Sequence, residues 1–219
     1  MDDQYWQKKW QLGDTLFHQG HPHDELVKYF SRLSGNRVMV PLCGKSTDLL
    51  WLRSKGYEVV GIELSPIACE ALFVENGLQF TKRPLGPGIL FETEKLKVWC
   101  GDYFLAPTSL WEGCTAVYDR AALIALPDSV RIKYVQHLNE VWAGKAPAGS
   151  SLLLITLEYR TDKIIGPPFS VSEEEVHTLY KNYFDIERLS STSDHPLSGR
   201  EKFNEIKVSE KTFNLTVTK

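Results

Sequence analysis

The chain has 219 residues, 42% of them hydrophobic, a net charge of −3 and a pI near 6.1, which suits one α/β domain with a modest extension. The mild negative charge argues against a nucleic-acid or membrane partner, and the longest apolar runs, such as LLLITL at 152–157, are too short to span a bilayer. The N-terminal stretch MDDQYWQKKW has no apolar core of a secretory signal, and Cys43, Cys69, Cys100 and Cys114 form no C-x-x-C pair, so reduced thiols and a cytoplasmic location are expected.

Residues 4–12 and 22–34 read as helices, the first with Trp6 and Trp10 four apart on one face. Strands and helices then alternate. RVMVPL (37–42) is strand-like, and 46–55 is a helix bearing Leu49, Leu50 and Leu52 with Ser46 at its N-cap. YEVVGIEL (57–64) is a second strand, followed by a helix from Pro66 to about Asn76 that Gly77 stops. A hairpin-like stretch at 89–98 leads into LKVWCGDYF (96–104), and CTAVYDR (114–120) is a further strand. Pro127 opens a helix to about Trp142, SSLLLITLEY (150–159) is a long apolar strand, and 172–182 is helical. FDIERLSS (184–191) and NEIKVSEKTFNLTVT (204–218) close the chain as an antiparallel pair.

This alternation predicts an α/β fold: a doubly wound, mostly parallel sheet with helices on both faces and antiparallel strands at the C-terminal edge. Residues 1–35 form an N-terminal helical lid and 36–219 the core of a single domain, 1–219. Ligands of such sheets sit at the carboxyl ends of the strands, near the point where strand order reverses. Residues 42–46, Glu63, 101–104, Asp119–Arg120 and Glu158–Tyr159 occupy those ends.

The triplet Gly44-Lys45-Ser46 suggests a phosphate-binding loop of a kinase or NTPase. A true P-loop carries a glycine five residues before its Gly-Lys pair, so that successive N–H groups wrap the phosphates. Met39 stands there, inside the strand. Glu63 ends the second strand, 19 residues after Gly44, the spacing at which a dinucleotide-type fold sets a carboxylate on a ribose diol. NAD needs three glycines in the first turn for its pyrophosphate, and PLCGKS has one. That turn suits an adenosyl ligand without phosphate, such as S-adenosylmethionine, better than a dinucleotide.

Together VPLCGKSTDLLWL, VVGIELS, WCGDYF, YDRAALIALP, GPPFSV and the N-terminal WQKKW…FHQ, in order from about residue 5 to about residue 182, resemble the thiopurine S-methyltransferase family, particularly its bacterial members. The resemblance implies a Rossmann-like class I methyltransferase fold. It implies S-adenosyl-L-methionine as donor, S-adenosyl-L-homocysteine as product, and a monomer acting on a small thiol or selenol acceptor. On the same resemblance Trp6, Trp10, Leu42, Gly44, Glu63, Asp102, Tyr103 and Arg120 line the cofactor, with Glu63 on the ribose and 101–104 beside the adenine. Phe17, Arg120, Pro168, Phe169 and Arg200 line the acceptor, and GPPFSV (166–171) roofs it.

Arg120 is the expected catalytic residue: its permanent cation holds an anionic or polarised acceptor. Aryl and heteroaryl thiols are acidic enough to attack as thiolates without a strong protein base. Aromatic faces stabilise a sulfonium by about 0.5–2 kcal/mol each. His18, His21 and His23 in HQGHPH lack accompanying cysteine or carboxylate ligands in a metal pattern, so no metal is expected. Selenium or tellurium compounds are further expected acceptors. The readings that compete are a kinase or NTPase using the Gly-Lys-Ser turn, and a catalytically silent adenosyl-binding module.

Overall fold

Runs of β-branched and aliphatic residues build one sheet with a parallel centre and antiparallel edges. The computed structural model describes residues 3–15, 18–160, 166–193 and 206–218. In chain order the elements are α1 (Asp3–Gln11), α2 (Asp24–Tyr29), β1 (Arg37–Pro41), α3 (Thr47–Ser54), β2 (Glu58–Glu63), α4 (Pro66–Val74), β3 (Thr81–Leu85), β4 (Gly88–Thr93), β5 (Leu96–Cys100), β6 (Ala116–Arg120), α5 (Asp128–Leu138), β7 (Ser151–Glu158), α6 (Glu173–Tyr180), β8 (Phe184–Thr192) and β9 (Ser209–Val217). The strands lie in the order β3-β4-β5-β2-β1-β6-β7-β9-β8.

Strands β5, β2, β1, β6 and β7 are parallel. After β1 the chain winds outward to β2, then returns to β1's other side as β6. That reversal opens the crevice between the carboxyl ends of β1 and β6 in which ligands of such sheets bind. Alternate side chains fill two cores. Met39, Val60, Ile62, Val117 and Leu154 pack with Tyr134, Leu138 and Tyr180 of α5 and α6. Val38, Val40, Val59, Val98 and Leu153 pack with Leu26, Leu49 and Phe73 of α2, α3 and α4. Each fully buried aliphatic side chain contributes about 1.5–3 kcal/mol. Ser46, Ser65 and Ser172 cap α3, α4 and α6 by accepting from the backbone N–H of Asp48, Ala68 and Glu175, at about 1 kcal/mol each.

The structure corrects the sequence reading in three places. Antiparallel strands flank the sheet on both sides, because β3 precedes the β4–β5 hairpin at the edge opposite β8. The sequence hides β3: Thr81–Pro84 is exposed, so no apolar alternation marks it, and Pro84 reads against a strand except at an edge. The helix expected over 22–34 is only α2, continued by a 3₁₀ turn at Phe30–Arg32. Likewise α5 stops at Leu138 and passes into a π turn, Asn139–Ala143. Among the described residues no helix is long and apolar enough to cross a membrane.

Asp119, on β6, is fully buried and faces α5. Its carboxylate accepts from the Tyr134 hydroxyl at 2.7 Å and from Leu123 N at 3.1 Å. Burial raises its pKa from 3.8 to about 6, and the donated hydrogen bonds oppose the rise. Between those values the folded chain binds more protons at this site than the unfolded chain. The contribution of Asp119 to stability therefore falls as pH rises from 3.8 to about 6, and is constant above. In denaturant titrations Asp119→Asn is expected to lose this slope, so that wild type minus variant stability declines across the window. A difference independent of pH would show that Asp119 ionises normally.

Candidate active site

The turn after β1 is unusual in its backbone. Leu42 (φ 47°) and Gly44 (φ 54°) both adopt the left-handed region around Cys43, at a cost of about 1–2 kcal/mol for the leucine. Such strain persists where surrounding contacts over-determine the loop. Cys43 N extends the ladder to β2 by donating to Ile62 O at 3.0 Å. Helix α1 supplies a second restraint, since a Cβ on Gly44 would stand 3.0 Å from Cζ2 of Trp10. Trp10 is buried on this turn, whereas Trp6, one helical turn earlier, is half-buried with its ring edge-on to Tyr5 at 5.1 Å.

Glu63 connects this turn to its neighbour. Its carboxylate is buried and accepts from Gly44 N at 2.8 Å through Oε2 and from Ser65 N at 2.7 Å through Oε1. Burial raises its pKa, and the N–H groups of Ser65, Gly44 and Leu64 pull it back. Each carboxylate oxygen keeps a second lone pair, so the group can hold both loops and still accept from a diol. A third segment is moored to the same place, because Gly101 N donates to Glu63 O at 2.9 Å. Asp102 then caps the short turn Tyr103–Leu105 by accepting from Phe104 N at 3.0 Å.

That turn also sets where the Tyr103 ring goes. Its ring is buried in the α5-side core, tilted against Tyr134 at 4.8 Å, and its hydroxyl donates to Tyr134 O at 3.5 Å. The 3₁₀ geometry rotates Tyr103 inward and leaves Phe104 half-exposed. The Tyr103 ring thus packs in the core beside α5.

Arg120 ends β6 half-buried, on the face shared with Tyr118; Asp119 points the other way. Strand alternation thus separates neighbours whose adjacency in sequence suggests an ion pair. The chain turns sharply through Ala121 (φ 64°) into the 3₁₀ turn Leu123–Ala125. Ile124 O accepts from Phe169 N at 2.6 Å, the Tyr159 hydroxyl donates to Pro168 O at 2.6 Å, and Ser170 Oγ is 3.0 Å from both Tyr159 N and Tyr159 O. The Gly166–Pro167 and Pro167–Pro168 peptide bonds are cis. Pro168 and Phe169 therefore stand against the turn that follows Arg120. Phe17 and Arg200 lie outside the described residues.

Asp48 is the side chain the sequence reading passed over. Asp48, in the first turn of α3, is buried and accepts from His23 N at 2.8 Å and the Tyr118 hydroxyl at 3.0 Å. An aspartate in a first helical turn reads as an ordinary favourable dipole contact, so nothing marks it in the sequence. The phosphate-loop lysine is also accounted for: Lys45 Nζ reaches both Glu75 oxygens, at 2.8 and 2.7 Å.

A left-handed single-glycine turn, a strand-end glutamate and a third strand-end loop meet at the reversal point, with an arginine across the crevice. The thiopurine S-methyltransferase family model matches residues 1–218. The chain belongs to the thiopurine S-methyltransferase family. It is 40% identical over 202 residues to the thiopurine S-methyltransferase of Bordetella petrii, covering 90% of each chain. Against that of Marinobacter nauticus it is 38% identical over 207 residues, covering 91% of this chain and 92% of the relative. Among solved structures the fold is similar to TehB from Haemophilus influenzae, with a TM-score of 0.63 and 15% identity over 99% of this chain and 67% of that one. It is also similar to the N-terminal domain of EvdMO1 with S-adenosylhomocysteine bound, with a TM-score of 0.60 and 12% identity over 99% and 98% of the two chains.

The cofactor of this family and fold is S-adenosylmethionine, and the residues present fit it. Glu63 has acceptor capacity for ribose hydroxyls, and the PLCGKS turn has no phosphate cradle. Gly44→Ala tests the turn. An added Cβ meets Trp10 and forces an alanine into the left-handed region. We expect a lower Tm and faster proteolytic cleavage around α1; unchanged cleavage would show that Trp10 does not hold the helix there.

Proposed function

We propose that this protein transfers a methyl group from S-adenosylmethionine to the sulfur of small aromatic or heterocyclic thiols of the thiopurine kind, and to comparable selenium or tellurium acceptors. The carrying observation is Arg120 at the end of β6, across the reversal crevice from the turn held by Glu63 and followed by the turn whose Ile124 O accepts from Phe169 N. When bound, S-adenosylmethionine supplies an electrophilic methyl on a sulfonium.

The chain's own groups do the rest by positioning. Glu63 orients a ribose while keeping the turns after β1 and β2 together. Trp10 covers Gly44 and shields that end from water. Arg120, always protonated, holds a thiolate or polarised ring directly, and the Pro168–Phe169 segment limits where a flat acceptor lies. Orientation of this kind supplies on the order of 7–11 kcal/mol in well-aligned systems. The same reading takes the protein as a cytoplasmic monomer of one domain, residues 36–219 forming the core and 1–35 the lid, with no nucleic-acid or membrane partner. Against the kinase reading stand Lys45, bound to Glu75, and Met39, buried in β1.

Calorimetry with S-adenosylhomocysteine, with ATP and NAD as controls, tests the cofactor: one-to-one micromolar binding of the homocysteine product alone is expected. Heat from ATP or NAD instead would overturn the reading, and binding without turnover of any thiol would favour the silent module. Arg120→Ala is expected to lower turnover of anionic thiols by about 10–100-fold, the loss of one charged hydrogen bond, with S-adenosylhomocysteine affinity near wild type. Loss of both together would make Arg120 a cofactor or folding residue.

The raised pKa of Glu63 sets a pH dependence. A protonated carboxyl accepts less well from a diol, so S-adenosylhomocysteine affinity should fall on acidification, beginning above the ordinary glutamate range. Glu63→Gln should abolish that dependence and weaken binding at neutral pH; an unaltered affinity would remove Glu63 from the ribose.

A further inference from the structure

The three histidines of HQGHPH separate in the structure. His21 is exposed, with Nδ1 3.1 Å from Pro22 O. His23 is buried, caps α2 by accepting from Glu25 N at 3.3 Å, and places Nε2 3.3 Å from Glu210. His18 lies one residue before the contact that docks this segment on α3. Its N–H donates to Thr15 O at 2.8 Å, and the next residue, Gln19, accepts through its carbonyl from Thr47 Oγ1 at 3.2 Å. That contact docks the segment on the first turn of α3, beside the turn after β1.

Four charged groups act electrostatically on the His18 ring: Lys45 after β1, Glu75 after α4, Arg120 at the end of β6 and Asp48 in α3. The ring is half-buried, and its Nδ1 is fully enclosed without a hydrogen-bond partner among the described residues. A buried polar atom without a partner is rare and points to a reactive or ligand-facing role. Burial lowers the pKa of His18 first, then Lys45 and Arg120, while Glu75 and Asp48 oppose them. The ring is therefore a neutral base at neutral pH.

The other ionisable groups of this region are engaged or unsuited. Lys45 binds Glu75, Asp48 accepts from His23 N and the Tyr118 hydroxyl, and Glu63 holds Gly44 and Ser65. Arg120 cannot release its proton.

We propose that His18 is the proton acceptor for acceptor thiols too weakly acidic to arrive as thiolates. The acceptor's S–H bond breaks, sulfur keeps the electron pair, and the proton moves to an imidazole nitrogen of His18. Arg120 stabilises the thiolate so formed, and the imidazolium returns its proton to water. A positioned base of this kind contributes about 10²–10⁴-fold to rate. The proposal rests on the thiol-methylation reading and extends it, because acidic aryl thiols need no base whereas alkyl and benzylic thiols do.

The test is His18→Gln, with His18→Asn as a second variant and His21→Gln as an exposed control, assayed on thiols graded from nitrothiophenol to phenylmethanethiol. S-adenosylhomocysteine calorimetry on each variant checks that the fold and cofactor site persist. We expect kcat/KM of the His18 variants to fall about 100-fold or more for phenylmethanethiol and less than tenfold for nitrothiophenol. A second readout needs no turnover: the apparent pKa of a chromophoric thiophenol bound with S-adenosylhomocysteine, followed by thiolate absorbance, should rise in the His18 variants. Equal losses across the thiols, or an unshifted bound pKa, would overturn the base role while leaving the methyltransferase reading intact. Wild-type protein that binds no S-adenosylhomocysteine, or methylates no thiol, would overturn both.

Discussion

The carboxylate of Glu63 holds together the strand ends at the reversal point of the sheet. One buried side chain accepts backbone N–H groups from the turn after β1 and the turn after β2, and its own carbonyl accepts from the loop after β5. Without those donors a buried carboxylate carries a large desolvation cost; with them it converts three independent strand ends into one rigid rim. The left-handed backbone at Leu42 persists because the β2 ladder holds Cys43, Glu63 holds Gly44, and Trp10 covers the turn. Strain at the rim is thus held in place by contacts on three sides.

Sheet topology decides what faces this rim. The reversal at β1 leaves the end of β6 across the crevice, and strand alternation sends adjacent residues of β6 to opposite faces. Asp119 goes into the α5 core, where Tyr134 and Leu123 satisfy it, and Arg120 goes to the crevice side. Two ionisable neighbours acquire unrelated roles for a purely geometric reason. Farther along the chain, Tyr159 and Ile124 hold the Pro168–Phe169 segment against the turn that follows Arg120, so that residues about 45 positions apart share one place.

Electrostatically, opposing charges act on the His18 imidazole. Lys45 and Arg120 disfavour protonation of His18, while Glu75 and Asp48 limit the shift. Such a balance suits a site that receives a weakly acidic ligand and must stabilise the anion derived from it. It also accounts for a Gly-Lys-Ser turn without phosphate chemistry: the lysine is paired with Glu75 at the end of α4.

Much of the fold and site was legible in the sequence wherever local chemistry and tertiary demand agree. Alternating apolar runs, serine caps, Gly77 and Pro127 place the central strands and helices closely. Single-glycine spacing to Glu63 points to an adenosyl ligand, and the resemblance to thiopurine S-methyltransferases follows from ordered motifs. The rest depended on which way a backbone turned in space. Exposed β3 carries no apolar pattern, because an edge strand needs none. Tyr103 and Phe104 are equivalent aromatics on paper, and a 3₁₀ turn capped by Asp102 buries the first. Asp48, Tyr159 and His18 owe their surroundings to segments distant in sequence, and no local spacing encodes such contacts. The sequence by itself determined the order of the central strands and helices, the cofactor class and the strand-end residues, because hydrophobic period and turn chemistry are local. Only the tertiary structure decided which of those residues face the crevice, since that depends on strand alternation, sheet reversal and packing between remote parts of the chain.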